Sequence, residues 1–229
     1  MPLKLTVLTL IISLFSCSTL KNISRSPTSL ETITAVKEVL DSSAFRAVET
    51  LQKLNKEGID GFIPPEFQSV LASLKTLGLE KELNNIEQKM GAISKIMADE
   101  ASGIMKDAIK EIRFEDAVAI VVGEPDAATR ALRNAMYGSV KNRYSARLET
   151  ELEKLDVLQY WPIAAGAYNI FAKNKVDASL PDFMAERAVD ALFLTMGKKE
   201  SEIRRDPGQL GKAVVNTVFD YYSKRKNKP

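Results

Sequence analysis

Seven residues near two turns have the types and spacing to do chemistry. Asp116 and Asp126 flank the turn at Gly123, Thr129 and Arg130 lie just beyond Asp126, and Glu200, Arg204 and Asp206 gather later in the chain. If helix ends meet there, these side chains line a polar cleft, and a carboxylate whose pKa is raised by burial serves as a general acid or base. The same residues also have a purely structural reading. Asp116 and Asp126 complement helix N-termini, and Glu200 and Arg204, four apart, form a helical ion pair. A second group, Arg130, Arg133, Tyr137, Lys141 and Tyr144, sets cations among aromatics along one helix side, as sites for single-stranded nucleic acid or phosphate do. Its alternative is a solvated charged face. Histidine is absent. That excludes a His-dependent triad, a His general base, a haem His ligand and most zinc sites, so neither metal nor cofactor is expected.

The one cysteine, Cys17, rules out an intramolecular disulfide and calls for another explanation. Its position supplies one. A short start carrying Lys4 precedes the apolar run Leu5 to Phe15, which ends at Leu14-Phe15-Ser16-Cys17 before a polar, Ser-rich segment. That is the layout of a secretory signal, too short to span a bilayer as a mature helix. The ending resembles the bacterial lipobox, in which cleavage before the cysteine exposes a thiol for a diacylglyceryl group, although Phe15 is bulkier than the residue lipoboxes carry there. Two or three acyl chains, palmitate among them, make attachment effectively permanent, since each buried methylene contributes about 0.8 kcal/mol. Ser18 replaces the aspartate that retains lipoproteins at the inner membrane, so the resemblance implies the outer membrane. Residues 1–16 are thus expected to be a signal peptide and 17–29 a flexible tether.

The elements that must position these residues are helices. Thr28-Ser29-Leu30-Glu31 has capping-box spacing and opens a helix with Leu30, Ile33, Leu40, Ala44, Ala47, Leu51 and Leu54 on one stripe, ended by Gly58 and Asp60-Gly61. Phe62-Ile63-Pro64-Pro65 is extended, and Pro65 starts a short helix with Phe67, Val70, Leu71, Leu74 and Leu77 inward, stopped by Gly78. Leu79 to Ile112 repeats apolar residues at spacings of four and three, a helix roughly 50 Å long. Gly91 and Gly103 each weaken it by about 1 kcal/mol, which suggests a bend or a close helix contact. Phe114–Val122 reads as a short helix, and Pro125 starts another that runs towards Leu155. Trp161-Pro162 opens one through Phe171, and Leu180-Pro181-Asp182 opens one through Met196 with Lys198-Lys199 beyond its end. Glu200–Arg205 stands apart from a last helix holding Leu210, Val214, Thr217, Val218 and Tyr221. The fold class is all-α: a multi-helix bundle of six to eight helices with one long central helix. It forms a single domain over 30–223, after signal peptide and tether, with a basic C-terminal tail at 224–229.

Six segments in order then resemble one family of bacterial lipoproteins, catalogued as domain of unknown function 4197. They are Leu77-Gly78-Leu79, Asp107-Ala108-Ile109, Glu115-Asp116-Ala117, Gly123-Glu124-Pro125-Asp126-Ala127-Ala128-Thr129, Ala191-Leu192-Phe193, and Glu200-Ser201-Glu202-Ile203-Arg204-Arg205-Asp206-Pro207. Arg113 stands where the family tends to place Ser or Thr, and Gly91-Ala92-Ile93-Ser94 where it tends to have Asn-Arg-Ala-Ala. The resemblance implies an envelope lipoprotein with an all-α domain and brings no activity.

A net charge of +2 gives no basic balance that argues for nucleic acid. The C-terminal cations suit anionic head groups or a frayed tail equally. Met90, Met97, Met105, Met136, Met184 and Met196 fall at interior positions, where they fill a core or adapt to an apolar ligand. The expected protein is held to the envelope through lipid on Cys17 and binds a protein or apolar partner without catalysis. The alternatives are an envelope hydrolase, which needs two of Asp116, Asp126, Glu200 and Asp206 converging on one reacting atom, and a carrier of an apolar ligand.

Overall fold

The computed structural model describes residues 25–56 and 65–226. Cys17, the signal peptide, most of the tether, the Gly58 to Pro64 turn and the last three residues lie outside that description, as do the side chains of Phe67 and Met90. Among the described residues the chain forms α1 (Ser29–Lys56), α2 (Pro65–Thr76), α3 (Glu80–Glu111), α4 (Ala117–Val122), α5 (Ala127–Lys154), α6 (Trp161–Phe171), α7 (Leu180–Arg205), a 3-10 turn at Pro207–Leu210 and α8 (Ala213–Lys226). No strand occurs among them, and the fold is an all-α bundle.

Four long helices make the frame. α1 packs on α3 and α7, and α5 packs on the same two, so the four close a ring around one core. α2 pairs with α6 and leans on α3, while α4 and α8 lie against α1 and each other. Residues at helical spacing fill the interior: Val36, Val39, Leu40 and Ala47 from α1, Ile93, Met97, Met105 and Ile109 from α3, Leu132, Val140 and Leu148 from α5, and Met184, Leu192 and Met196 from α7. α3 is the longest helix, but it shares the centre with three others of 26 to 28 residues.

The start of α1 follows its capping box. The Glu31 N–H donates to the Thr28 hydroxyl at 3.2 Å and the Thr28 N–H to the Glu31 carboxylate at 2.8 Å. Elsewhere the structure differs from the sequence reading. Leu30 is exposed rather than packed. A Cβ added at Gly91 or Gly103 would meet no atom within 4 Å, so neither glycine serves a close helix contact. α4 begins at Ala117, three residues later than expected, where the Asp116 carboxylate accepts from the Ala119 N–H at 2.8 Å. Leu210 belongs to the 3-10 turn and Thr217 is exposed, Val215 taking the inward place. The largest difference is α7, which runs unbroken through Gly197, Lys198 and Lys199 to Arg205. Met196, Glu200 and Ile203 keep one buried face across that stretch, and this burial outweighs the roughly 1 kcal/mol that a helical glycine costs. The start of α5 lies close to α7 at Gly197, where a Cβ would stand 3.4 Å from the Asp126 Cβ, at the edge of ordinary contact.

Candidate functional site

The expected cleft is a clamp. Glu200 is wholly buried on α7, and its carboxylate accepts from the backbone N–H groups of Ala128 (2.9 Å) and Thr129 (2.7 Å) in the first turn of α5. Those N–H groups have no partner within their own helix, and the helix dipole favours an anion there. Arg204, one turn further along α7, donates from Nε to the same carboxylate at 2.8 Å. Its other nitrogens donate to the carbonyls of Val121 (2.9 Å) and Ile120 (3.1 Å) at the end of α4. The guanidinium lies 5.2 Å from the centre of the Phe219 ring on α8. One carboxylate and one guanidinium thus hold the end of α4, the start of α5 and α7 together across the turn at Gly123. That glycine is required there, since a Cβ would stand 2.8 Å from the Ala119 carbonyl oxygen.

The other sequence-predicted residues are held separately. Asp116 caps α4, and Asp126 sits at the start of α5 without a capping bond, paired instead with Arg130 at 3.2 Å. Asp206 ends α7 in an exposed position. Thr129 is buried with its hydroxyl unpartnered. Among the described residues no two of Asp116, Asp126, Glu200 and Asp206 share a hydrogen-bond partner. Nor is there one cleft. Asp126, Thr129 and Arg130 line a pocket of about 280 Å³ on one side of the clamp, with Arg133, Phe193 and Lys198. Arg204 lines another of about 500 Å³ on the other side, with Pro125, Arg205, Phe219 and Tyr222. Glu200, the only fully buried carboxylate of the set, faces backbone N–H groups and Arg204.

The mixed stripe of α5 is turned against α7. Arg133 pairs with Asp190 at 2.6 Å, the Tyr137 hydroxyl donates to the same carboxylate at 3.2 Å, Lys141 meets Glu186 at 3.6 Å, and the Ser145 hydroxyl donates to Asp182 at 2.7 Å. Burial, then the nearby Asp190 charge, pushes the Tyr137 phenol up to about 12. The hydrogen bonds from Ser145 and Ser179 lower the pKa of Asp182. Tyr144 points into the core and donates to the Met97 carbonyl, and its burial raises its pKa well above the ordinary value. On a neighbouring face Arg143 and Arg147 pair with Glu111 and Glu100 of α3. These cations therefore join helices. Sequence reasoning missed Asp182, Glu186 and Asp190, whose spacing of four matches that of Arg133, Tyr137, Lys141 and Ser145 and is the signal that would have paired the two faces.

The methionines follow the core-filling alternative: Met97, Met105, Met184 and Met196 are fully buried in the continuous hydrophobic core. The two segments that most extend the resemblance, 123–129 and 200–207, are the two that meet in the clamp. No curated protein and no solved structure matches the chain. The family described as Protein of unknown function (DUF4197) matches residues 26–220. Since that span takes in α1 to α7, both halves of the clamp and half of α8, the chain belongs to this family.

Proposed function

We propose that this protein is a lipid-anchored component of the bacterial cell envelope, held through Cys17 at the outer membrane, and that it acts by binding rather than by catalysis. The observation that carries the second half is the clamp. The one fully buried carboxylate of the candidate set, Glu200, already accepts from two backbone N–H groups and one guanidinium. A general acid or base must reach a reacting atom, and Glu200 is wholly buried, with both carboxylate oxygens turned to donors of its own fold. The reading of the anchor rests on Leu14-Phe15-Ser16-Cys17 at the end of the apolar run.

The test is intact mass and detergent partitioning of the protein from its native membrane, beside Cys17→Ala. A cleaved chain carrying a diacylglyceryl group, absent from the variant, is the expected result. An unacylated chain cut at a different place sinks the anchor. Extraction of the same preparation then reveals any lipid or protein that copurifies.

A further inference from the structure

α6 breaks the rule that the rest of the surface obeys. Its eleven residues, Trp161-Pro162-Ile163-Ala164-Ala165-Gly166-Ala167-Tyr168-Asn169-Ile170-Phe171, include no charged side chain. One face is packed: Trp161, Ala164 and Ala165 are buried, and the Trp161 ring stacks on Phe183 at 5.0 Å. The opposite face is as apolar as the buried one, yet Ile163 is 50% exposed, Ile170 72% and Phe171 91%. Among the described residues no other helix exposes three large apolar side chains. A helix that is apolar all round belongs in a core or in lipid, and exposed apolar patches of this kind mark interaction sites.

The chain after α6 keeps this patch in place. The Asn169 side chain donates to the Val176 carbonyl and accepts from the Val176 N–H, at 2.9 and 2.8 Å. The Trp161 indole N–H donates to the Asp177 carbonyl at 2.9 Å. These bonds fold residues 172–177 back on α6 and leave Phe171, Lys173 and Lys175 exposed. Neither lysine has an ion-pair partner among the described residues.

We infer that α6 and the segment that follows it contact the membrane. The outward face of α6 lies in the interface of an anionic bilayer, Ile163, Ile170 and Phe171 among the upper acyl chains, Lys173 and Lys175 at the phosphates. An apolar face bordered by unpaired cations is the composition of an element that lies on a bilayer, and each lysine near an anionic surface strengthens partitioning about fivefold. α6 does not cross: no helix among the described residues is long and apolar enough to span a membrane. The inference deepens the function proposed above and rests on its reading that the chain is held at a bilayer.

The test uses the acylated full-length protein carrying Phe171→Trp, reconstituted on phosphatidylcholine vesicles with and without phosphatidylglycerol, the acyl chains brominated. Trp161 is buried, so the parent protein gives a constant background. The introduced indole is expected to be quenched on the anionic vesicles, and Lys173→Glu with Lys175→Glu is expected to weaken the quenching. An unquenched indole on a chain whose mass shows the acyl group overturns the inference and leaves the anchor standing. If the mass shows no acyl group, the anchor falls and flotation of the unacylated chain with phosphatidylglycerol vesicles decides alone. Flotation lost on Phe171→Glu supports the inference; flotation absent, or unchanged by that substitution, overturns it. A dimer in sedimentation that Phe171→Glu dissociates assigns the face to a second copy and overturns it as well.

Discussion

α5 and α6 are neighbours in the chain and present opposite outward chemistry. α5 is charged along its length, and four of its cations meet a partner on α3 or α7: Arg133 and Lys141 on one side, Arg143 and Arg147 on the other. α6 has no charge and leaves its outer face without a partner among the described residues. Of the polar residues that looked ready for chemistry, Glu200, Arg204, Arg133, Tyr137 and Lys141 tie helices together. The uncharged helix, by contrast, exposes Ile163, Ile170 and Phe171. Charge in this protein is largely spent between helices of the frame, and the unburied apolar area is concentrated on α6.

The comparison breaks first if the clamp is not structural. Glu200→Ala leaves a buried guanidinium unpaired and two N–H groups of α5 without an acceptor, a change of the kind that costs about 3–5 kcal/mol. Urea unfolding should show that loss as a lower midpoint at an unchanged slope. Replacing both partners, Glu200→Leu with Arg204→Met, should cost less than Glu200→Ala alone, because no isolated charge then stays buried. A loss below about 1 kcal/mol for Glu200→Ala would place it with ordinary exposed ion pairs and leave the clamp without weight.

Smaller effects sharpen the same contrast. Asp116→Ala removes the side-chain cap of α4 and should cost about 1 kcal/mol in the same assay. Tyr137→Phe deletes one hydrogen bond in the seam between α5 and α7, worth about 1 kcal/mol. It also has a pH signature. The phenol titrates at about 12 in the folded chain against an ordinary value of 10.0, so the folded state holds the proton more tightly. The stability this provides is full below pH 10 and disappears as the pH rises towards 12. Stability followed across that range should fall in the parent and fall less in Tyr137→Phe. Glu31 works at the other end of the scale. Hydrogen bonds from Arg25 and Thr28 hold its carboxyl at about 2 against 4.5, so its contribution is present above the ordinary value and lost as the pH falls towards 2. A carboxyl titration by NMR that places Glu31 near 4 would break the capping box at the start of α1.

Local chemistry was legible in the sequence wherever it acts within a few residues. The capping box at Thr28 and Glu31, the cap at Asp116, and α6 with its start at Trp161 and end at Phe171 all follow from neighbouring residue types. Chemistry that acts across the fold was not. The spacing of Glu200 and Arg204 gives their ion pair, but nothing in it points to Ala128 and Thr129, over seventy residues earlier. Asp126 held the local place for that capping role and pairs with Arg130 instead. α7 was divided at Gly197 because a glycine followed by two lysines is a stop by propensity, and only the burial of Glu200 and Ile203 beyond it shows why the helix continues. α6 hid its surface for a different reason. A helix apolar on both faces gives no periodic contrast from which to read the side that faces out.

That ambiguity supplies the smallest expected effect and the one that best isolates α6. Substituting Phe171→Ser and Ile170→Ser should change the unfolding free energy by no more than about 0.5 kcal/mol, because both side chains are already in water in the folded state. Trp161→Ala, on the packed face of the same helix, removes a buried ring stacked on Phe183 and should cost about 3–5 kcal/mol. Two apolar faces separated only by the width of one helix would then differ by most of the stability that a core aromatic contributes. If the serine substitutions instead destabilise the chain as the tryptophan substitution does, Ile170 and Phe171 are packed inside the protein in solution. The apolar face then has an occupant from this same chain, and α6 joins α5 as a part of the architecture.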